Sequence, residues 1–414
     1  MIFPPFLGHS SGSDWLPAAV GFLLTGVGLP LLGVIAASVA GGTVDDFGKN
    51  VSPNFGKIFG IVIVLAIGPL LAIPRTGATA FELGVVPFFS DSLIASIITT
   101  TIFFGLTLYF VLNPSSVIDR IGKYLTSILV AILGAIVIGG ILNPIGNPVD
   151  MEAATPFKTG LTEGYQTMDA LGSVILATII ISSLNEKGYS TTSDQVSITI
   201  RAGMIAATGL GLIYGGLLFL GATSSAVFSE GIHRTELLIG VSDKILGSIG
   251  TYALGMSVFL ACLTTSIGLT TTAGKFFSGI TNGKLNYKLV VWVTVLFSAF
   301  FANAGVESIV RIAEPILVAI YPVAIVLIIM TIFNNYIKDK VVYRGAVFGA
   351  FIVGLFDSAM LLDLELYGLE SIMGNLPFAE YGVQWIVPAI LFALISKLLK
   401  RGISLRTKES TDTA

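Results

Sequence analysis

Long apolar runs separated by short polar connections dominate the chain. They fall at 15–41, 58–85, 92–112, 118–142, 168–184, 199–221, 248–274, 287–304, 307–334, 345–365 and 382–399. A helix needs about 17–25 residues to cross a bilayer, and hydrocarbon admits only helices or closed barrels because every backbone polar group must be satisfied internally. The short alternating segments of a barrel are absent, so the pattern predicts an all-α polytopic membrane protein with eleven full spans. Two segments break the rule. Residues Ile2 to Gly8 form an apolar stub interrupted by Pro4 and Pro5. With no basic or signal-like leader before them, the chain is expected to begin inside a truncated first span. The second exception starts at Thr155 and Pro156, an N-cap and N1 pair. A polar helical stretch follows, then Met168-Asp169-Ala170-Leu171-Gly172-Ser173, and only afterwards a short apolar run. Interrupted segments in corresponding positions of two halves mark a carrier's binding site. Counting the stub, these are spans one and six, the offset of a five-plus-five inverted repeat.

Charge gives the orientation. Seventeen of the 22 Lys and Arg residues fall on alternate connections and on the C-terminal tail, among them Lys49, Lys57, Arg120, Lys123, Lys187, Arg201, Lys338 and Lys340. The other connections hold only Lys158, Arg234 and Lys244. Cytoplasmic loops are the basic ones, so the C-terminus is expected on the cytoplasmic side. Charged residues make up 11%, against about 25% in soluble domains. One membrane domain over 1–406 and a disordered cytoplasmic tail over 407–414 are expected. A single cysteine, Cys262, excludes a disulfide framework, and His9 and His233 lack metal-ligand spacing. Nothing calls for nucleic acid or an obligate protein partner.

Candidate chemistry is sparse, as it must be where ionisable groups are costly. Asp169 stands in the expected break, facing a substrate ammonium or capping the following half-helix. Arg75 lies mid-span with Glu82 seven residues on, able to meet a substrate carboxylate or to pair with Glu82 or Asp169. Ala261, Thr264 and Thr265 are i, i+3 and i+4, one helical face. A carbonyl and two hydroxyls there suit Na⁺, although threonines in membrane helices also bond back to their own carbonyls. Arg311 and Glu314 form either an outer gate or a surface pair. Asp357 and Asp363 have solvated or capping roles, and Gly209, Gly211, Gly215 and Gly216 are expected to mark close helix packing.

Four segments carry a resemblance: Ile2-Phe3-Pro4-Pro5, GPLLAIPRTGATAFELG from Gly68, YQTMDALG from Tyr165 and ACLTTSIGLT from Ala261. Together they resemble the branched-chain amino acid:cation symporter family, the BrnQ-type carriers. The resemblance implies a LeuT-like fold and uptake of Leu, Ile and Val coupled to Na⁺ or H⁺, with no enzyme chemistry. It implies a substrate pocket along Thr167, Met168, Asp169, Ala170, Leu171 and Gly172, with Arg75 nearby, and a Na⁺ site at Ala261, Thr264 and Thr265. It also implies a Gly-rich unwound segment before Ile2, which these residues do not include. The alternatives are a LeuT-fold carrier of another small solute and a passive channel.

Overall fold

The structure is a computed structural model. It describes residues 1–40, 47–89, 91–113, 116–152, 154–189, 191–337, 339–362, 364 and 368–412, with only the backbone of 116–123, 125, 369–371 and 402–412. Lys338 and Asp363 lie outside the described residues, as do the side chains of Arg120 and Lys123. The elements are helices: α1 (Phe3–Ser11), α2 (Trp15–Leu23), α3 (Leu29–Ala40), α4 (Pro53–Leu65), α5 (Ala72–Gly84), α6 (Leu93–Leu112), α7 (Ser116–Leu142), α8 (Pro156–Gln166), α9 (Asp169–Glu186) and α10 (Thr192–Ser224). Then follow α11 (Arg234–Ile280), α12 (Tyr287–Ala302), α13 (Val306–Ile332), α14 (Lys340–Leu361), α15 (Leu369–Gly374) and α16 (Ile386–Asp412). Among the described residues eight helical segments are long and apolar enough to cross a membrane, and Thr126–Leu142 and Tyr287–Ala302 are shorter apolar helices. The stub and the first long run fall together in one of the eight, Phe3–Ala40. The backbone expected to be disordered from Thr407 continues as helix to Asp412, while 413–414 lie outside the described residues.

The chain forms two compact units. The first comprises Met1–Val27, Ile61–Met168 and Ala206–Ala313. Lipid tails are as apolar as leucine, so helices associate there by close backbone approach across small residues. Two reciprocal glycine pairs do this. Gly8 of α1 lies on the Leu218 carbonyl while Gly221 of α10 lies on that of Pro5. Likewise Gly21 of α2 meets the Phe157 carbonyl and Gly160 of α8 meets that of Ala18. Thr25 Oγ1 adds a bond to the Leu161 carbonyl at 3.0 Å. The run singled out in the sequence behaves otherwise: Gly209, Gly211 and Gly215 face open space, and only Gly216 meets a neighbour, Val137. At about 100° per residue the four are spread round α10 and do not form one face. Buried Leu217, Leu218, Leu237, Leu238, Val241 and Val258 centre one core, and Phe103, Phe104, Leu263, Ile267, Val291 and Val295 a second. His9, buried at the end of α1, lies 3.2 Å from both Ser224 Oγ and the Ser229 carbonyl.

Two backbone breaks within this unit follow from residue type. Between α4 and α5 a wide turn over Ala66–Leu70 contains Gly68 at φ −92°, ψ −120° and Pro69, which has no N–H to continue the ladder. In α11 Gly247 adopts φ 67°, ψ −175°, a region essentially open to glycine alone. The run expected from 248 therefore begins where the helix restarts. The helical piece 234–246 before it is an addition to the expected pattern.

The second unit comprises Gly28–Gly60, Asp169–Ile205 and Glu314–Ala414. In it α3 packs on α9 with Gly33 against Ser173, and α14 packs on α16 with Gly345 and Gly349 on the carbonyls of Phe392 and Pro388. Polar ties close its ends. Arg344 Nε donates to the Val51 carbonyl at 2.8 Å, Tyr343 Oη to that of Met330 at 2.7 Å, and Gln384 Nε2 to Asp357 at 2.8 Å.

Candidate functional site

The interruption expected in the sixth span is present but shorter than Met168–Ser173. The first half-helix, α8, starts at Pro156 after Thr155, whose side chain makes no capping bond, and ends at Gln166. The Thr167 and Met168 N–H groups close its last turn on the carbonyls of Gly164 and Tyr165, at 3.3 and 3.0 Å. Met168 then turns left-handed, φ 60°, a conformation that costs a non-glycine residue roughly 1–2 kcal/mol. Asp169 already belongs to the first turn of α9, where a carboxylate complements the exposed N–H groups and helix dipole. Met168, Ala170 and Leu171 are buried, Thr167 and Asp169 half-buried, and Gly172 borders open space.

Arg75 is tied to this interruption. Its Nη1 donates to the Gln166 carbonyl at 2.6 Å and its Nη2 reaches that of Thr167 at 3.4 Å. The Phe3 ring covers the guanidinium at 5.0 Å. The Glu82 carboxylate is engaged elsewhere, accepting from Thr235 Oγ1 at 2.7 Å and from the Val306 N–H at 2.8 Å. The pairing of Arg75 with Glu82 considered in the sequence therefore gives way to capping of the α8 carbonyls.

Ala261, Thr264 and Thr265 share one face of α11, as their spacing requires. Both hydroxyls donate to the Ala261 carbonyl at 2.9 Å, the back-bonded geometry. With both protons directed there, the hydroxyl lone pairs remain for another acceptor-seeking partner. Arg311 is exposed on α13 and makes no ion pair among the described residues; Glu314 is half-buried.

The charged cluster that does form involves other residues. Arg234 at the start of α11 holds Glu163 of α8 through Nη2 at 2.7 Å and Glu307 of α13 through Nη1 at 2.5 Å. Its own N–H donates to Glu307 at 3.0 Å, and its guanidinium stacks on Phe6 at 4.0 Å and lies 5.8 Å from Phe3. Sequence reading counts Arg234 only among the sparse non-cytoplasmic cations. Its partners lie 71 and 73 positions away, and no local pattern joins them. Glu307 also lines, with Glu82 and Thr235, a cavity of about 460 Å³ bordered by Asp91, His233 and Glu236.

This is the architecture of a polytopic transporter with a LeuT-like fold. In three dimensions the chain is similar to MhsT, solved in complex with L-phenylalanine, with a TM-score of 0.57 at 16% identity, covering 96% of this chain and 93% of that one. A second neighbour is Mhp1, a nucleobase-cation-symport-1 family transporter, with a TM-score of 0.53 at 13% identity and coverage of 96% and 88%. Residues 1–403 match the sequence model of the branched-chain amino acid transport protein family, and the chain belongs to that family. The branched-chain amino acid permease BraB of Bacillus subtilis is 40% identical over 96% of this chain and 91% of its own length. BrnQ of the same organism is 37% identical over 99% and 94%. The branched-chain amino acid transport system 2 carrier protein of Pseudomonas aeruginosa is 35% identical over 97% and 92%. These relatives are named permeases and carriers, not enzymes.

Proposed function

We propose that the protein takes up Leu, Ile and Val by alternating access, driven by co-transport of Na⁺ or H⁺, in a bacterial plasma membrane with its C-terminus cytoplasmic. The carrying observation is the α8–α9 interruption within an apolar helical segment, Pro156–Glu186. A zwitterion cannot enter hydrocarbon with its charges unmet. The start of α9 offers N–H groups and a positive dipole end to a carboxylate. Thr167 to Gly172 supply that side of the pocket. The neutral oxygens of Ala261, Thr264 and Thr265 suit a monovalent hard cation, since a divalent ion favours carboxylates. Each charge moved down the membrane potential supplies about 2.3 kcal/mol per 100 mV. In this reading Arg234 with Glu163 and Glu307 provides closure, in addition to the gate proposed at Arg311 and Glu314.

Reconstituted protein is expected to show saturable uptake and counterflow of radiolabelled leucine, with inhibition by valine and isoleucine but not alanine. Separate Na⁺ and H⁺ gradients identify the coupling ion. Thr264→Ala with Thr265→Ala should raise the Na⁺ concentration for half-maximal uptake. Non-saturating flux that ignores both gradients would make the protein a channel, and an unaltered Na⁺ dependence would remove the cation site.

A further inference from the structure

Arg75 stands where its own helix disfavours it. It lies in the first turn of α5, following Leu71, and its N–H donates to the Leu71 carbonyl at 3.1 Å. That end of a helix favours anions, because the unpaired N–H groups carry partial positive charge. The opposing attraction comes from the C-terminal end of α8. The carbonyls of Gln166 and Thr167 have no further helical turn to receive, and both accept from the guanidinium. Phe3 shields the pair from one side. In carriers built on broken helices, such carbonyl ends coordinate a cation. Here a cation belonging to the chain already occupies them.

We propose that Arg75 is a tethered cation, a positioning residue whose permanent charge takes the place of a bound ion at the α8 carbonyls and holds the interruption in its binding shape. This rests on the reading that the interruption receives the amino acid. An Arg is suited to the task because its charge persists at any physiological pH and its planar fork spans two carbonyls. The consequence is that α8 needs no inorganic cation while Arg75 is present, which leaves Ala261, Thr264 and Thr265 as the cation's place of binding. Removing the charge creates a vacancy that a dissolved cation can fill.

The test uses the full chain in proteoliposomes and in detergent, as wild type, Arg75→Lys, Arg75→Gln and Arg75→Ala. Arg75→Gln is expected to weaken half-saturation for leucine by about tenfold or more, the scale of a lost charge-assisted bond. Arg75→Lys, whose ammonium reaches one carbonyl, should recover most of that loss. Millimolar guanidinium should restore leucine affinity to Arg75→Ala and raise its unfolding midpoint, while leaving the wild type unimproved. Equal leucine affinity in Arg75→Gln and wild type overturns the proposal. So does an Arg75→Ala protein whose affinity and unfolding midpoint ignore guanidinium. If the wild type carries no leucine, the transport reading fails, and the guanidinium response of the Arg75→Ala unfolding midpoint still decides the role of Arg75.

Discussion

Replacing Arg234 by Met should expose how much the charged cluster holds together. The side chain is 11% exposed and contacts two carboxylates that are 14% and 32% exposed. Met preserves the apolar stem against Phe6 but takes the guanidinium away from both carboxylates, leaving Glu307 the backbone N–H of residue 234, and removing one partner of a buried pair costs about 3–5 kcal/mol. Glu163→Gln leaves Arg234 with Glu307 still in place, so its cost should be about 1.5–3 kcal/mol, one charge-assisted bond. Glu307→Gln should cost less on the charge account, about 1 kcal/mol, because that carboxylate is nearly one-third exposed and screened. The informative variant is the double one. Once Arg234 is Met, neutralising Glu163 removes a buried charge that has lost its guanidinium, so Glu163→Gln should stabilise the Arg234→Met background while destabilising the wild type.

Unfolding in detergent, followed by the fluorescence of Trp15, Trp292 and Trp385, measures all four corners of this cycle. A sign reversal for Glu163→Gln is the prediction. If both steps are destabilising and additive, the three residues are not energetically coupled, and the closure role fails with them. Transport offers a second reading of the same number. A loss of about 3 kcal/mol in one of two alternating states changes their ratio by roughly 10²-fold. Arg234→Met should therefore depress maximal leucine flux more than leucine half-saturation.

Three further substitutions test backbone and core. Gly247→Ala meets no atom within van der Waals reach, yet its φ of 67° and ψ of −175° should cost about 1–3 kcal/mol. Gly211→Ala, also in open space but inside α10, should instead stabilise by about 0.5–1 kcal/mol; equal shifts in unfolding midpoint would discredit the assigned backbone geometry. Thr270 is fully buried and its Oγ1 has no hydrogen-bond partner among the described residues. Thr270→Val keeps the branched shape and removes an unsatisfied hydroxyl worth about 1–3 kcal/mol, so the unfolding midpoint should rise; a fall would mean that the hydroxyl has a partner in the working protein.

What the sequence disclosed and what it hid divide along a physical line. Span positions were legible because hydrocarbon thickness sets run length. The interruption was legible because a Thr-Pro start and a polar half-helix break an otherwise apolar pattern. Its extent was overestimated because Asp169, Ala170 and Leu171 can all serve the opening turn of a helix, so only Thr167 and Met168 are left outside. Back-bonding by Thr264 and Thr265 was foreseeable, being local to one turn. The carbonyl partners of Arg75 were not, because they lie 91 and 92 positions away, and a carbonyl has no letter in a sequence. The glycines make the same point. Gly209, Gly211 and Gly215 have the motif without a neighbour, whereas Gly8, Gly21, Gly160 and Gly221 have carbonyls against them. In a chain this poor in charge, much of the specific recognition passes through exposed backbone, at helix ends and across glycine faces. A side-chain inventory therefore locates the break in α8–α9 and names Arg75 beside it, but misses the carbonyls that Arg75 satisfies. Arg75 is the case in which both halves are visible: an arginine at the wrong end of its own helix, and two carbonyls that accept from it at the right end of another.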